Sequence, residues 1–244
     1  MSTNTKYLGP ALHTAVYYND KTQFDKLIAN SNNFNIRDNN SNNVVHIAIL
    51  MDRQDMLKQL AEAGADLNVL NNIGESPLEI AFRSEKAATV KLLIEQGTDT
   101  VLMAKFKDGT TLLHNIVKTA DKLELLEFAL DAGAKTETQD RRGNTALHYA
   151  LQLAHTNKEL SKQYTKIAKT LIAKEMNPTV FNQQNLLRKP AYMIAVRSRN
   201  EEALSAMDAK LPGLSKITRA LKHAILPKEN KAPTKKTRKL GLGL

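Results

Sequence analysis

A chain of 244 residues with 42% hydrophobic content, 5% aromatic content and no Trp carries enough apolar mass for a core, one built largely of small side chains. The absence of Cys excludes disulfides, Cys-ligated zinc and thiol catalysis and fits a reducing compartment, and no apolar run approaches the ~20 residues of a membrane-spanning helix. The net charge of +10 is unevenly placed: Pro212 to Leu244 holds nine Lys or Arg against one Glu, which leaves the body of the chain near neutral and marks an appended basic segment.

Residues 1–8 are polar, so neither a cleaved secretory peptide nor a membrane anchor is expected there. From Pro10 onward a short string recurs: Pro10-Ala11-Leu12-His13-Thr14-Ala15, Val44-Val45-His46-Ile47-Ala48, Pro77-Leu78-Glu79-Ile80-Ala81, Leu112-Leu113-His114-Asn115-Ile116, Ala146-Leu147-His148-Tyr149-Ala150 and, faintly, Tyr192-Met193-Ile194-Ala195. Its fourth position falls at His13, His46, Glu79, His114, His148 and Met193, separated by 33, 33, 35, 34 and 45 residues. A period near 33 predicts a solenoid of stacked units, none of which can bury its apolar face alone.

Each unit reads as a turn, a first helix, a second helix and an extended hairpin. In the first helix the Leu position and the Ala two after His (Ala15, Ala48, Ala81, Ala150, Ala195) share one face, where small residues let neighbouring helices approach. Phe24, Leu27 and Ile28, then Met56, Leu57 and Leu60, Val90, Leu93 and Ile94, and Leu123, Leu126 and Leu130 give the second helices their apolar face. Gly64, Gly97 and Gly133 are predicted to close second helices at positive φ, and Gly74, Gly109 and Gly143 to make the hairpin turns. In the fifth unit His148 to Leu171 spans 23 residues where the second and third units use fourteen. The extra ~9 residues, around Ala154 to Gln163, either extend helix ends or form a protrusion that widens a contact surface. Gly213 to Leu226 places Leu214, Ile217, Leu221 and Ile225 on one helical face behind a capping Ser215, so residues 212–227 are predicted as an amphipathic capping helix ended by Pro227. Residues 228–244 are too poor in apolar side chains to fold and are predicted to be a disordered basic tail.

A second recurring piece follows the first by fourteen or fifteen residues: Leu60-Ala61-Glu62-Ala63-Gly64-Ala65-Asp66, Leu93-Ile94-Glu95-Gln96-Gly97-Thr98-Asp99 and Ala129-Leu130-Asp131-Ala132-Gly133-Ala134-Lys135. The two pieces in register resemble ankyrin repeats over about residues 7 to 211, with departures at both ends and at Glu79. The resemblance implies an all-α ankyrin-repeat solenoid of about six helix-turn-helix repeats with short hairpins in residues 1–211, acting in protein–protein interaction without catalysis. It also implies that first-helix ends and hairpin tips line a concave binding face. Mapped onto this sequence, the helix ends are Tyr17, Tyr18, Leu50, Met51, Arg83, Lys118 and Arg197, and the tips are Lys107, Arg141, Arg142, Arg188 and Lys189. The N-terminal half is then apolar and aromatic and the later tips basic, which suits a protein partner with an apolar segment near Tyr17, Tyr18, Leu50 and Met51 and an acidic portion at Arg141 and Arg142. The opposing reading is that Tyr17 and Leu50 pack inward and the Arg side chains are merely solvated.

The recurring His invites a metal or acid–base role, but in ankyrin repeats it holds the turn through hydrogen bonds near a Thr or Ser three residues earlier, and Thr111 and Thr145 stand there. His155 and His223 are isolated, no carboxylate spacing makes a zinc site, and no phosphate loop or nucleophile elbow occurs, so no catalytic, metal or cofactor residue and no small-molecule substrate is expected. A monomer is expected. Lys235-Lys236-Thr237-Arg238-Lys239 is open to three readings: a solvated run, a nuclear address, or a contact to acidic lipid or nucleic acid phosphates. Residues 212–244 lack aromatic side chains for base stacking, which argues against sequence-specific nucleic-acid binding. Asn68 resembles the hairpin asparagine that asparaginyl hydroxylases modify in ankyrin proteins of animal cells. The Asn- and Lys-rich, drifted repeats and polar C-terminus resemble the ankyrin effectors that intracellular bacteria such as Legionella and Coxiella inject into host cells, where the delivery signal lies in the C-terminal residues. The alternative is an endogenous intracellular adapter or inhibitor, and an enzyme is the least favoured class. The corresponding locations are the cytoplasm, a host cell reached without a cleaved signal peptide, or the nucleus through the tail.

Overall fold

The computed structural model describes residues 10–31, 33–175, 177–211, 213, 214 and 216. Apart from Gly213, Leu214 and Lys216, the expected capping helix lies outside the described residues, as does the whole basic tail.

The predicted all-α solenoid of six helix pairs is what the described residues form. The pairs are α1 (Ala11–Tyr18) with α2 (Lys21–Asn30), α3 (Val44–Leu50) with α4 (Gln54–Glu62), α5 (Pro77–Arg83) with α6 (Ala87–Met103), α7 (Leu112–Thr119) with α8 (Leu123–Asp131), α9 (Ala146–Thr156) with α10 (Ser161–Lys174), and α11 (Ala191–Arg197) with α12 (Glu201–Lys210). No strand is present among these residues beyond an isolated bridge between Gln184 and Pro190. Short polar side chains start several of the helices: Asp20, Asn43, Ser76 and Asn200 each accept a hydrogen bond from the amide three residues on.

First helices pack side by side as α1–α3–α5 and α7–α9–α11, and second helices as α4–α6–α8–α10–α12. α5 and α7 touch far less than the other first-helix neighbours, so the second helices α6 and α8 carry that junction. The core runs unbroken from Ala15 to Leu214. All five repeat-position alanines are buried at 3% exposure or less, as close approach of the first helices requires. Ion pairs tie successive second helices across their outer face: Lys21 to Asp55, Lys91 to Glu124, Lys174 to Asp131 and Lys169 to Glu202. Each has at least one well-exposed partner, so solvent screening keeps its contribution to stability small.

Gly64 and Gly133 close their helices at φ of 86° and 97° as expected, but Gly97 does not. It lies inside α6, which runs for 17 residues where α4 and α8 have 9. Val101 and Leu102 explain the difference: they lie on the apolar face of Leu93 and Ile94 about two turns further on and are buried, which offsets the ~1 kcal/mol cost of a mid-helix glycine. A Cβ at residue 97 would run into Val101, so this glycine answers to packing and not to a turn.

The fifth-repeat insertion resolves into longer helices. α9 has 11 residues and α10 has 14, and Ser161 Oγ donates to the Ala154 carbonyl at 2.7 Å across the turn between them. A further feature had no periodic signal: a single 3-10 turn over Pro178–Asn182 buries Val180 and Phe181 under the last pair.

Candidate protein-binding surface

Among the described residues five hairpins project from the stack, at Asp38–Asn42, Asn71–Glu75, Phe106–Thr110, Asp140–Asn144 and Asn185–Lys189. In each the first residue's N–H donates to the last residue's carbonyl, at 2.9, 3.0, 2.8, 2.9 and 3.3 Å respectively. The first side chain builds the turn in four of them. The Oδ1 atoms of Asp38, Asn71, Asp140 and Asn185 each accept from the amides two and four residues on, as Asx turns do. The fourth position takes positive φ throughout, at Ser41, Gly74, Gly109, Gly143 and Arg188. The second and third positions are therefore the tips: Asn39-Asn40, Asn72-Ile73, Lys107-Asp108, Arg141-Arg142 and Leu186-Leu187. In this register Arg188 occupies the left-handed position and Lys189 the closing one, so they follow the last tip and do not form it.

The last two tips are locked together. Leu186 N–H donates to the Arg142 carbonyl at 2.9 Å, Asn185 Nδ2 to Asn144 Oδ1 at 2.9 Å, and Gln139 Nε2 to both the Gly143 and Gln184 carbonyls at 2.7 and 3.1 Å. A Cβ on Gly143 would lie 3.0–3.2 Å from backbone of Asn185 and Leu186, closer than ordinary contact, and the residue's φ is +73°, so glycine suits this approach.

The repeat histidines fix the hairpins to the helices. His46, His114 and His148 take the N–H of Asn43, Thr111 and Thr145 on Nδ1, at 3.2, 3.1 and 3.2 Å. Their Nε2 atoms reach the carbonyls of Glu75, Asn144 and Lys189 in the following hairpin at 3.3, 2.9 and 3.1 Å. At His114 and His148 the Thr111 and Thr145 hydroxyls also lie 2.8 Å from Nδ1, and this acceptor role at Nδ1 with a carbonyl partner at Nε2 defines one neutral tautomer with the proton on Nε2. Burial lowers the pKa of all four histidines from 6.5, and takes His46 to about 4. His13 makes only half of the set. Its Nε2 meets the Asn42 carbonyl at 3.2 Å, but its Nδ1 is buried without a partner, because Pro10 stands at the cap with neither an N–H nor a polar side chain. At Glu79 the polarity reverses: the carboxylate accepts from the Lys107 amide at 3.1 Å, and burial raises its pKa.

Cations at the start of second helices add a further set of staples. Arg53 donates to the Val16 and Tyr17 carbonyls, both at 3.4 Å, and Lys86 Nζ to the Ile49 carbonyl at 2.6 Å, capping the C-terminal end of the preceding first helix.

Of the N-terminal quartet, Tyr17 and Met51 pack against the core, while Tyr18 and Leu50 are 45% and 43% exposed. The two tyrosine rings meet edge to face at 5.1 Å. Arg83 pairs with Glu75 at 3.0 Å, and Lys118 lies 3.6 Å from Asp108 and 5.1 Å from the Tyr149 ring centroid. Tyr149 is itself held by Asp140 at 2.7 Å, and burial with that bond pushes its pKa up to about 12. Lys107, Arg188 and Arg197 are exposed and Lys189 is half-buried. Arg141 and Arg142 are exposed, and among the described residues their side chains form no ion pair. Arg141 lays its aliphatic stem over Gly109. Leu186 and Leu187, at 74% and 70% exposure the most solvated large apolar side chains described, stand beside them. Asn68 is half-buried. Among the described residues no group of His, Asp and Glu could hold a metal ion, and no helix is long and apolar enough to cross a membrane.

Residues 12–104 match the family described as Ankyrin repeats (3 copies). No curated protein matches the chain in sequence. Among solved structures, the ankyrin repeat protein EF0377 is similar at 20% identity and a TM-score of 0.63, covering 82% of this chain and 98% of its own. An ankyrin repeat domain (ABAYE2397) from Acinetobacter baumannii AYE gives 21% identity and a TM-score of 0.64 over 81% of this chain and 96% of its own. The ankyrin repeat domain of Bcl-3, a member of the IkappaB protein family, gives 20% and 0.51 over 82% and 98%. With three repeats matched in residues 12–104 and the helix-pair stack running on to Lys210, the chain has the ankyrin-repeat fold.

Proposed function

We propose that the chain is a non-catalytic protein-binding module whose partner lies across the hairpin tips from Lys107 to Leu187, with Tyr18 and Leu50 as a second apolar contact. The observation that carries this reading is the pairing of unneutralised Arg141 and Arg142 with exposed Leu186 and Leu187 on turns joined by one backbone hydrogen bond and the side-chain bridges of Asn185 and Gln139. Groups fixed in this way lose little entropy on binding. Such a surface suits a partner segment with acidic residues next to apolar ones, which extends the expected apolar contact from the N-terminal helix ends to the C-terminal tip. Arg141→Glu with Arg142→Glu, and separately Leu186→Ser with Leu187→Ser, should weaken binding of a partner isolated by affinity capture while leaving the melting temperature unchanged. Unchanged affinity in both variants overturns the reading.

In the effector reading, delivery into a host cell would rest on residues 228–244. A translocation reporter with and without them tests it, and equal delivery refutes an export role for the tail. Co-purification of a partner from the protein's own cell and not from a host selects the adapter or inhibitor role.

A further inference from the structure

We propose that a second binding site, for an acidic polypeptide segment, lies on the opposite edge of the stack from the hairpins, between the lengthened α10 and the start of α12. An open groove of about 720 Å3 runs there, with Ala154 and Ser161 of the insertion at one end and Ser198 to Glu202 at the other. Lys162, Lys166 and Lys169 line one wall at i, i+4 and i+7, and Arg199 stands on the other with Glu201 and Glu202, four cations against two carboxylates. Lys169 is paired with Glu202 at 3.0 Å, whereas the side chains of Lys162, Lys166 and Arg199 form no ion pair or hydrogen bond among the described residues.

The equivalent groove at the first junction shows what a self-satisfied version looks like. It is smaller, about 300 Å3, and both its cations are committed: Lys21 to Asp55 at 3.7 Å, and Arg53 to the Val16 and Tyr17 carbonyls. Stability does not account for the excess at the fifth junction. Lys162 sits in the first turn of α10, where the helix dipole disfavours a cation, and Lys162 and Lys166 repel one another at i, i+4. An anionic occupant relieves both.

Residues 1–9 contain no Asp or Glu and residues 212–244 contain one Glu among nine Lys or Arg, so neither segment complements the groove in charge. The groove's cations fit an acidic segment of another molecule. Lys162 to Lys169 spans about 10 Å along the helix, matching about three residues of extended peptide, so a short run of Asp or Glu meets the row of cations.

The test is fluorescence anisotropy of labelled octaglutamate with the full chain at low ionic strength. Lys162→Glu with Lys166→Glu and Arg199→Glu should weaken binding about tenfold or more. A tail control (Lys235→Gln, Lys236→Gln, Arg238→Gln, Lys239→Gln) and the tip variant Arg141→Glu with Arg142→Glu should each stay within about twofold of the unaltered chain. Lys162→Gln with Lys166→Gln, milder and checked by thermal melt, should give a partial loss. The proposal is overturned if octaglutamate does not bind, if the groove variants bind as well as the unaltered chain, or if the loss is confined to the tail control. It also falls if an oligonucleotide of the same length binds through the groove more tightly than the peptide. The tip control keeps this outcome separate from that of the hairpin surface.

Discussion

The junction between the fourth and fifth repeats and the junction between the third and fourth use opposite chemistry at the same place. At the former, His114 bridges the Thr111 amide and the Asn144 carbonyl, and Asp140 folds the receiving hairpin. At the latter, Glu79 takes the Lys107 amide, and Phe106 replaces the turn-building Asx and packs its ring edge on to Phe82 at a centroid distance of 6.1 Å. The first helices α7 and α9 pack closely while α5 and α7 barely touch. An imidazole binds two backbone groups in two repeats at once. A carboxylate accepts only, and the apolar contact makes up part of the difference.

Acidification is the largest lever on that contrast. The native histidines stay neutral while the unfolded chain takes up protons at its ordinary pKa of 6.5, so stability falls as pH drops below 6.5 and stops falling once the folded value is passed. For His46, with a folded value of about 4, the loss sums to about 3 kcal/mol. Glu79 has the opposite sign: its raised pKa favours the folded state in acid and costs stability as pH rises through the folded value. Urea unfolding between pH 7 and 4 should show a steep loss for the unaltered chain and a steeper one for Glu79→His. A flat profile would refute the neutral-histidine network.

His114→Ala should cost about 3 kcal/mol, since it strands a buried amide and carbonyl, whereas Glu79→Ala, at a half-buried site, should cost about 1 kcal/mol. Equal losses by urea unfolding would erase the distinction between the junctions. Lys86→Met removes the charged donor to the Ile49 carbonyl and should cost about 2 kcal/mol. The smallest expected effect is a gain: Pro10→Thr supplies the N–H and hydroxyl that His13 Nδ1 lacks and should add about 1 kcal/mol, read as a rise of about 2–4 °C in Tm.

The helix pairs and their buried faces were legible in the sequence because they follow the 33-residue period and the i, i+3, i+4 spacing. The hairpin register was legible too, in the Asx that opens four of the five hairpins. Positive charge alone points to Arg188 and Lys189 as the last tip, while the Asn185 turn assigns it to Leu186 and Leu187. Gly97 reads as a helix end by analogy with Gly64 and Gly133, and only the packing of Val101 and Leu102 extends the helix past it.

By itself the sequence determined the architecture, since a repeated apolar pattern has few ways to leave water other than stacking on its neighbour. Tertiary structure decided where each polar group finds its partner. The carbonyls that meet His13, His46, His114 and His148 lie 29 to 41 residues away, the amide that meets Glu79 lies 28 away, and no local pattern encodes them. It likewise decided which cations are spent on neighbouring repeats and which, such as Arg141, Arg142, Lys162 and Lys166, are left facing solvent. Charge neutralisation depends on distances that exist only once the repeats have stacked.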